Sequence, residues 1–450
     1  MRNEVNLLMR EGKKIYLKEF LMKSQRNLAD YFFKMNYIDD PSEIIFKGIF
    51  INVVDGWVVR MDQMGGMQTQ IYRQSIALSN KKIKQLVLPI AMPNAPKKWK
   101  LNPYLTIQKG NIPMLPIKSS IRGTFGLNFY WGVGVILKLI RKKFKKENYN
   151  IIHTHCSGVA APLIVGYIAK KIFKKPLVYT VHCCRVSTYH PMSKFDSLIN
   201  GLIIKIEKFC LEHADYTIVL TNKTKEIIQK NYEIPNEKIT VIPDVIDSDE
   251  FISNLTDKNI QEFQQKYNLD NNLKKIVFIG RIAYEKGCSV LLNAFKKLNR
   301  DDCELIFYGD GNERFLLEKE IERMGVQKKC QVTGYLPNTD ISLAIKTADL
   351  VVMPSLHEEF GGLILEIASV GKAVIGSNIG GIPTLIEDGK SGLLFECGNV
   401  EELSKKIDEI IDKSDLLQEY GDELKKNISK KYSFQDNMNK IKKIYSTLGE

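Results

Sequence analysis

The stretch KIVFIGRIAYEKGCSVLLNAFKKL, residues 275–298, decides the fold. It runs from a short apolar segment through a glycine-bounded loop into a helical pattern, which is how a strand hands over to a helix. The same order recurs downstream, where DLVVMP (349–354) leads through HEEFGGLILE (357–366) into another helix. In open sheets of parallel strands, ligands bind beyond the carboxyl ends of the strands, where such loops lie.

Outward from these two stretches, apolar runs of strand length alternate with amphipathic ones. The runs before them are 44–54, 84–90, 150–155, 176–182, 216–221 and 238–243; those after or between them are 303–309, 330–334 and 372–377. Strands alternating with helices predict parallel sheets covered on both faces. The series breaks once, after Pro243, where DSDEFISNLTDKNIQEFQQKYNLDNN turns polar. The predicted fold is therefore α/β, with two Rossmann-like, doubly wound domains over 44–243 and 273–432 and a linker over 244–272. Residues 1–43 read as an N-terminal helical extension, and 433–450 as a final amphipathic helix with no strand after it.

Composition fits a globular chain: 450 residues, 44% hydrophobic and 26% charged. That length predicts roughly two or three domains. No apolar run approaches the ~18 residues of a membrane span, and the first residues lack a signal peptide's apolar stretch. The eight cysteines are scattered without a disulfide or CxxC spacing, which suits a reducing compartment. A cytoplasmic protein is expected. The net charge of +13 is concentrated between residues 81 and 150, where fifteen Lys/Arg stand against one acid, Glu147. Trp99, Tyr104, Phe129, Tyr130 and Trp131 interleave with that charge. A solvated lysine-rich face, an anionic membrane surface and a polyanion are the readings this permits.

Two cations and two carboxylates carry the chemistry. Arg281 and Lys286, in the loop after the strand at 275, suit a diphosphate leaving group. Glu358 lies in the loop after DLVVMP, and Glu366 within the helix that starts near Gly361 or Gly362. A carboxylate so placed can accept from the paired hydroxyls of a ribose, with Glu358 nearer a transferred sugar. The backbone amides of Phe360, Gly361, Gly362 and Leu363 can address phosphates. Use of Glu358 and Glu366 as a glycosidase pair leaves Arg281 and Lys286 unexplained. Gly65 and Gly66 precede a helix and admit a second phosphate approach. His182 ends its strand at the cleft, where an imidazole can donate to a sugar hydroxyl. His153 and His155 share one side of the preceding strand and are read as structural before functional. A zinc site from His182, Cys183 and Cys184 lacks a second ligand pair, and the DSD at 247–249 reads as a helix cap. No metal site is expected.

GGMQTQ, GRIAYEKG, YGDGNER, HEEFGGLILE and GGIPTLIEDGKSGLLF stand in the order found in the retaining glycosyltransferases of family 4. The chain resembles that family from about residue 44 to 450, most specifically from 275 to 400. The resemblance implies the GT-B fold, two domains facing across a cleft with the last helix crossing back to the first domain. It implies a nucleotide-sugar donor, usually UDP-linked, and no metal or other cofactor. Residue by residue it implies Arg281 and Lys286 on the diphosphate, Glu366 on the ribose and Glu358 on the donor sugar. It also implies His182 beside that sugar, and amides near 360–363 and 65–66 on the donor. Gly362 departs from the family, which more often has a bulkier aliphatic residue there.

More narrowly, MDQMGGMQTQIYRQSIAL and HCCRVSTYHPMSKFD resemble enzymes that glycosylate 2-deoxystreptamine. That implies transfer of N-acetylglucosamine or glucose to a small aminocyclitol, with Asp62 and Asp196 as carboxylates for its ammonium groups. The basic segment 81–150 argues instead for a lipid-linked or cell-envelope glycan acceptor, reached by peripheral contact at the inner membrane face. A nucleic-acid-binding protein and a sugar-nucleotide epimerase are the other classes weighed. The full donor set stands against the first, and turnover without an acceptor would mark the second.

Overall fold

The computed structural model describes residues 66–88, 98–108, 124–146, 149–188 and 194–449. The predicted extension 1–43 and the predicted strand 44–54 lie outside the described residues.

Among the described residues, the N-terminal half holds a four-stranded parallel sheet and a three-stranded one. The smaller sheet pairs β1 (Gln85–Val87) with β3 (Leu105–Gln108) in parallel, and β3 with β2 (Lys98–Asn102) in antiparallel. This hairpin was not anticipated: KWKLN carries too much charge to read as a strand, yet its partner Leu105 is fully buried. The larger sheet has the order β4 (Ile152–Ser157), β5 (Leu177–Cys183), β6 (Tyr216–Val219) and β7 (Ile239–Val241). Helices Ala160–Phe173, Lys194–Glu212 and Asn222–Tyr232 connect those strands.

The C-terminal half is a six-stranded parallel sheet. Its strands are β8 (Lys274–Ile279), β9 (Cys303–Tyr308), β10 (Cys330–Gly334), β11 (Leu350–Met353), β12 (Val374–Ser377) and β13 (Leu393–Phe395). They lie in the order β10-β9-β8-β11-β12-β13. Alternate residues of each central strand enter opposite cores. Val277, Ile279, Ile306, Tyr308, Val351 and Met353 join one cluster; Ile276, Phe278, Leu305, Phe307, Leu350 and Val352 join the other. Period-2 side chains buried on both faces explain why these strands read as unbroken apolar runs. The winding reverses between β8 and β11, and that switch point opens a crevice at their carboxyl ends.

The stretch 244–272 is more than a tether. Helices Ser248–Ile252 and Asp257–Lys266, with the turn between them, set Phe251, Leu255, Ile260 and Phe263 into the first C-terminal cluster. At the far end, helix Phe434–Gly449 packs Met438 and Ile441 against Val178 of β5, Ile218 of β6 and Leu78 of helix Gly66–Asn80. Each such side chain contributes about 1.5–3 kcal/mol on burial. The chain's last helix thus completes the core of its first half.

Candidate active site

The loops after β8 and β11 meet at the switch point. Gly287 has φ +67°, and a Cβ there would stand 2.0 Å from the carbonyl oxygen of Pro354. Only glycine lets the two loops touch. Two amides lock them together: Leu356 N and His357 N both donate to Glu285 O, at 2.9 and 3.1 Å. This contact delivers Lys286 to Glu358, with Nζ 2.7 Å from Oε2. The pair is mostly shielded, at 27% and 15% exposure. Ser355 Oγ is 3.5 Å from the same carboxylate oxygen.

Arg281 is placed differently. It is 54% exposed at the rim and donates to Glu285. The two predicted cations therefore share a loop but not a partner: Lys286 is anchored, and Arg281 stands at the opening.

Glu366 sits in the first turn of helix Leu363–Val370, which follows Gly361 at φ +93° and is capped by Gly362. Phe360 is buried beneath the loop. Gly362 has open space where a Cβ would go. Nη2 of Arg73 donates to Glu366 Oε1 at 3.1 Å, although 293 residues separate the two. Glu359, unassigned from sequence, accepts from the Thr224 hydroxyl of helix Asn222–Tyr232. Burial pushes the Glu359 carboxyl up and neighbouring Glu358 adds to that, against the Thr224 hydrogen bond. The motif thus divides its glutamates: Glu358 faces Lys286, while Glu359 and Glu366 reach the N-terminal half.

The loop 378–381, which had read only as a turn, backs this arrangement. A Cβ on Gly380 would stand 1.6 Å from Glu358 O, and one on Gly381 would stand 2.5 Å from Phe360 O. Residues as small as these let one backbone press on another, a role the paired glycines of NIGGIP signal.

On the N-terminal side, His182 ends β5 and is 7% exposed. Its Nε2 lies 3.1 Å from His155 Nδ1, while His153 contacts Thr180 Oγ1 at 2.8 Å and Tyr445 OH at 2.5 Å. Burial lowers all three imidazoles, His153 and His182 to about 3. They are neutral, and each ring offers one donor and one acceptor. Asp244, after β7, lines a cavity with His155, His182, Gln70 and Gln74. Burial raises its carboxyl to about 7, opposed by Arg73. Neither Asp244 nor Arg73 was singled out from sequence. Cys184, weighed earlier as a zinc ligand, has its thiol 3.5 Å from Glu207 Oε2, and burial raises it to about 12.

Other predicted residues are only partly placed. Gly66 opens helix Gly66–Asn80, and Asp196 falls in the first turn of helix Lys194–Glu212. Asp62 and Gly65 lie outside the described residues. Among the described residues no cluster of His, Cys, Asp or Glu suited to a metal is present.

Two Rossmann-like halves, with charged groups converging at the C-terminal switch point, define a GT-B glycosyltransferase. The chain belongs to family 4 of these enzymes: residues 64–250 match the family described as Glycosyltransferase Family 4, and residues 259–430 match Glycosyl transferases group 1. It is 33% identical to a 2-deoxystreptamine N-acetyl-D-glucosaminyltransferase of Niallia circulans, over 77% of this chain and 89% of that one. Its fold is similar to sucrose-phosphate synthase from Thermosynechococcus elongatus, with TM-score 0.71 and 19% identity over 85% and 94% of the two chains. It is also similar to Anabaena HepE in complex with UDP-glucose, with TM-score 0.59 and 21% identity over 70% and 82%. The protein is a glycosyltransferase.

Proposed function

We propose that the chain transfers a hexose, N-acetylglucosamine or glucose, from a UDP-sugar to a 2-deoxystreptamine-type aminocyclitol, with retention, in antibiotic biosynthesis. The anchored Lys286–Glu358 pair at the switch point carries the donor half of this reading. The 33% identity to the Niallia circulans enzyme supports the acceptor half.

In this reading Lys286 and the rim guanidinium of Arg281 take the diphosphate, and Glu366 takes the ribose hydroxyls. Glu358, held by Lys286, accepts from the donor sugar. Amides from Phe360 to Leu363, and at Gly65 and Gly66, add donor contacts. The C1–phosphate bond breaks, and its electron pair leaves with UDP. The acceptor oxygen bonds C1 on the same face, and its proton passes to the departing phosphate oxygen. Cationic groups matter most as charge builds on that oxygen; losing one such donor costs about 2.7–4 kcal/mol. Neutral His182 is suited to hydrogen bonding with the sugar rather than to acid catalysis. Asp62 and Asp196 would meet the ammonium groups of the acceptor. No cofactor beyond the donor is invoked, and the site of action is the cytoplasm.

A second acceptor class, a lipid-linked or cell-envelope glycan, is favoured by one surface. Helix Thr124–Phe144 exposes Leu137 (43%) and Phe144 (83%) among Arg141, Lys142 and Lys143. Helix Lys194–Glu212 turns Leu198 and Leu202 outward while burying Asn200 and Glu207. Apolar groups ringed by lysine suit an anionic bilayer surface. Among the described residues no helix is long and apolar enough to cross a membrane.

The test is UDP release with UDP-N-acetylglucosamine, UDP-glucose or UDP-galactose, against 2-deoxystreptamine or anionic liposomes carrying glycolipid. Release that requires 2-deoxystreptamine is expected. Release only with liposomes would transfer the assignment to the second class, and release without any acceptor would refute both.

A further inference from the structure

Arg73 projects from helix Gly66–Asn80 into a shielded space between the halves. Its guanidinium carbon is 5.9 Å from the Phe251 ring centroid, and Nη2 is 3.1 Å from Glu366 Oε1. Exposure is only 18% for Arg73 and 14% for Glu366. A buried carboxylate without a partner is costly and tends to take up a proton. Burial does push the Glu366 carboxyl upward, and Arg73 is the group that pulls it back, by charge and by hydrogen bond.

The surroundings leave that task to Arg73. The segment after β7 brings Asp244, which is itself influenced by Arg73. Helix Ser248–Ile252 brings Glu250, whose influence falls on Tyr72, and Ser248, whose hydroxyl is 2.9 Å from Ser369 Oγ. Helix Ile382–Leu385, IPTL, brings no charge. One cation from the N-terminal half therefore governs a carboxylate of the C-terminal half.

We propose that Arg73 is a positioning residue for donor binding: it fixes Glu366 through Oε1, so that Oε2 accepts from the ribose hydroxyls. The inference rests on the ribose role of Glu366 proposed above. A protonated carboxyl surrenders acceptor capacity, so a neutral Glu366 holds the diol less well. The donor site is then complete only when helix Gly66–Asn80 is seated against helix Leu363–Val370.

The experiment is calorimetric UDP binding to the full chain, from about pH 5.5 to about pH 8.5, a range that spans a raised carboxyl. The proteins are wild type, Arg73→Gln, Arg73→Lys, Glu366→Gln and Arg73→Gln/Glu366→Gln. UDP titrates in every sample, so each affinity is read as a ratio to wild type. Arg73→Gln is expected to weaken UDP about ten- to a hundredfold near neutrality. That deficit should widen as pH falls, because the unopposed carboxyl protonates at higher pH than in wild type. Arg73→Lys should restore most of the affinity and flatten the ratio. On the Glu366→Gln background, Arg73→Gln should cost little more and the added loss should not vary with pH.

An equal, pH-independent loss from Arg73→Gln on both backgrounds would overturn the proposal and leave Arg73 a merely structural or direct donor contact. If Glu366→Gln alone binds UDP like wild type, the ribose reading itself fails. Should Arg73→Gln not fold, Arg73→Lys still decides: a small loss that disappears on the Glu366→Gln background supports the proposal, and a pH-independent loss that persists on that background overturns it.

Discussion

Gly287→Ala tests whether the switch-point loops must touch for the site to exist. Gly287 and Gly389 have nearly the same backbone, φ +67° and φ +74°. Alanine at either position pays the left-handed penalty of about 1–2 kcal/mol. Their surroundings differ. Nothing lies within 4 Å of a Cβ on Gly389, whereas a Cβ on Gly287 meets Pro354 O at 2.0 Å and Pro354 C at 2.9 Å. An ordinary carbon–oxygen contact needs more than 3 Å, so one loop must retreat by over ~1 Å, and overpacking of that kind costs about 1–3 kcal/mol. Gly287→Ala should therefore lose about 2–5 kcal/mol and Gly389→Ala only about 1–2 kcal/mol. The retreat also pulls Lys286 from Glu358, so UDP affinity should fall for Gly287→Ala and hold for Gly389→Ala. Urea unfolding midpoints and UDP calorimetry on both variants are the assays. Equal midpoints, or a Gly287→Ala protein that binds UDP like wild type, would refute the reasoning.

Glu358→Gln should lower turnover by about a hundredfold or more, while Glu359→Gln should retain most of it, because burial already disfavours charge on Glu359; steady-state kinetics of the two variants separates them. The buried histidines set a pH dependence of stability. The folded values of His153 and His182 are lowered from 6.5 to about 3, so above 6.5 neither state binds the extra protons. As pH falls through that window the unfolded chain takes them up and stability drops. Urea midpoints should decline from near pH 6.5 downward, and less steeply in His182→Asn; an identical slope in that variant would exclude His182 as a contributor.

The C-terminal half was legible because its strands are covered twice. Ile276 to Ile279, and Leu350 to Met353, are buried on both sides and appear as unbroken apolar runs, each ending at a charged loop. The loop residues Lys286 and Glu358 followed from that placement, although their contact did not. The β2–β3 hairpin escaped notice because its strands are only five and four residues long, too short for the strict alternation of KWKLN to stand out among the surrounding lysines. Phe251, Leu255, Ile260 and Phe263 were diluted by the polar residues between them, so two packed helices read as a linker. Arg73 and Thr224 were unreadable for another reason. Their partners stand 293 and 135 residues away, and local spacing carries no signal of a contact made across a cleft.

The distribution of partners within HEEFGGLILE gives the motif a logic beyond its list of ligands. Adjacent carboxylates repel, and burying both as anions would be expensive. The structure resolves this by giving Glu358 a cation, Lys286 at 2.7 Å, and Glu359 a hydroxyl, Thr224. Burial pushes the Glu359 carboxyl up, and the Thr224 hydroxyl partly offsets that. Glu366 is again matched with a cation, but one borrowed from the other half of the molecule. The two positions suited to sugar hydroxyls therefore each face a cation, and the one between them faces a hydroxyl. Since Thr224 and Arg73 both belong to the N-terminal half, the contacts that partner Glu359 and Glu366 also tie the two halves together. Seating of the halves and the fixing of Glu366 are one event in this geometry, while Glu358 is set within the C-terminal half by Lys286.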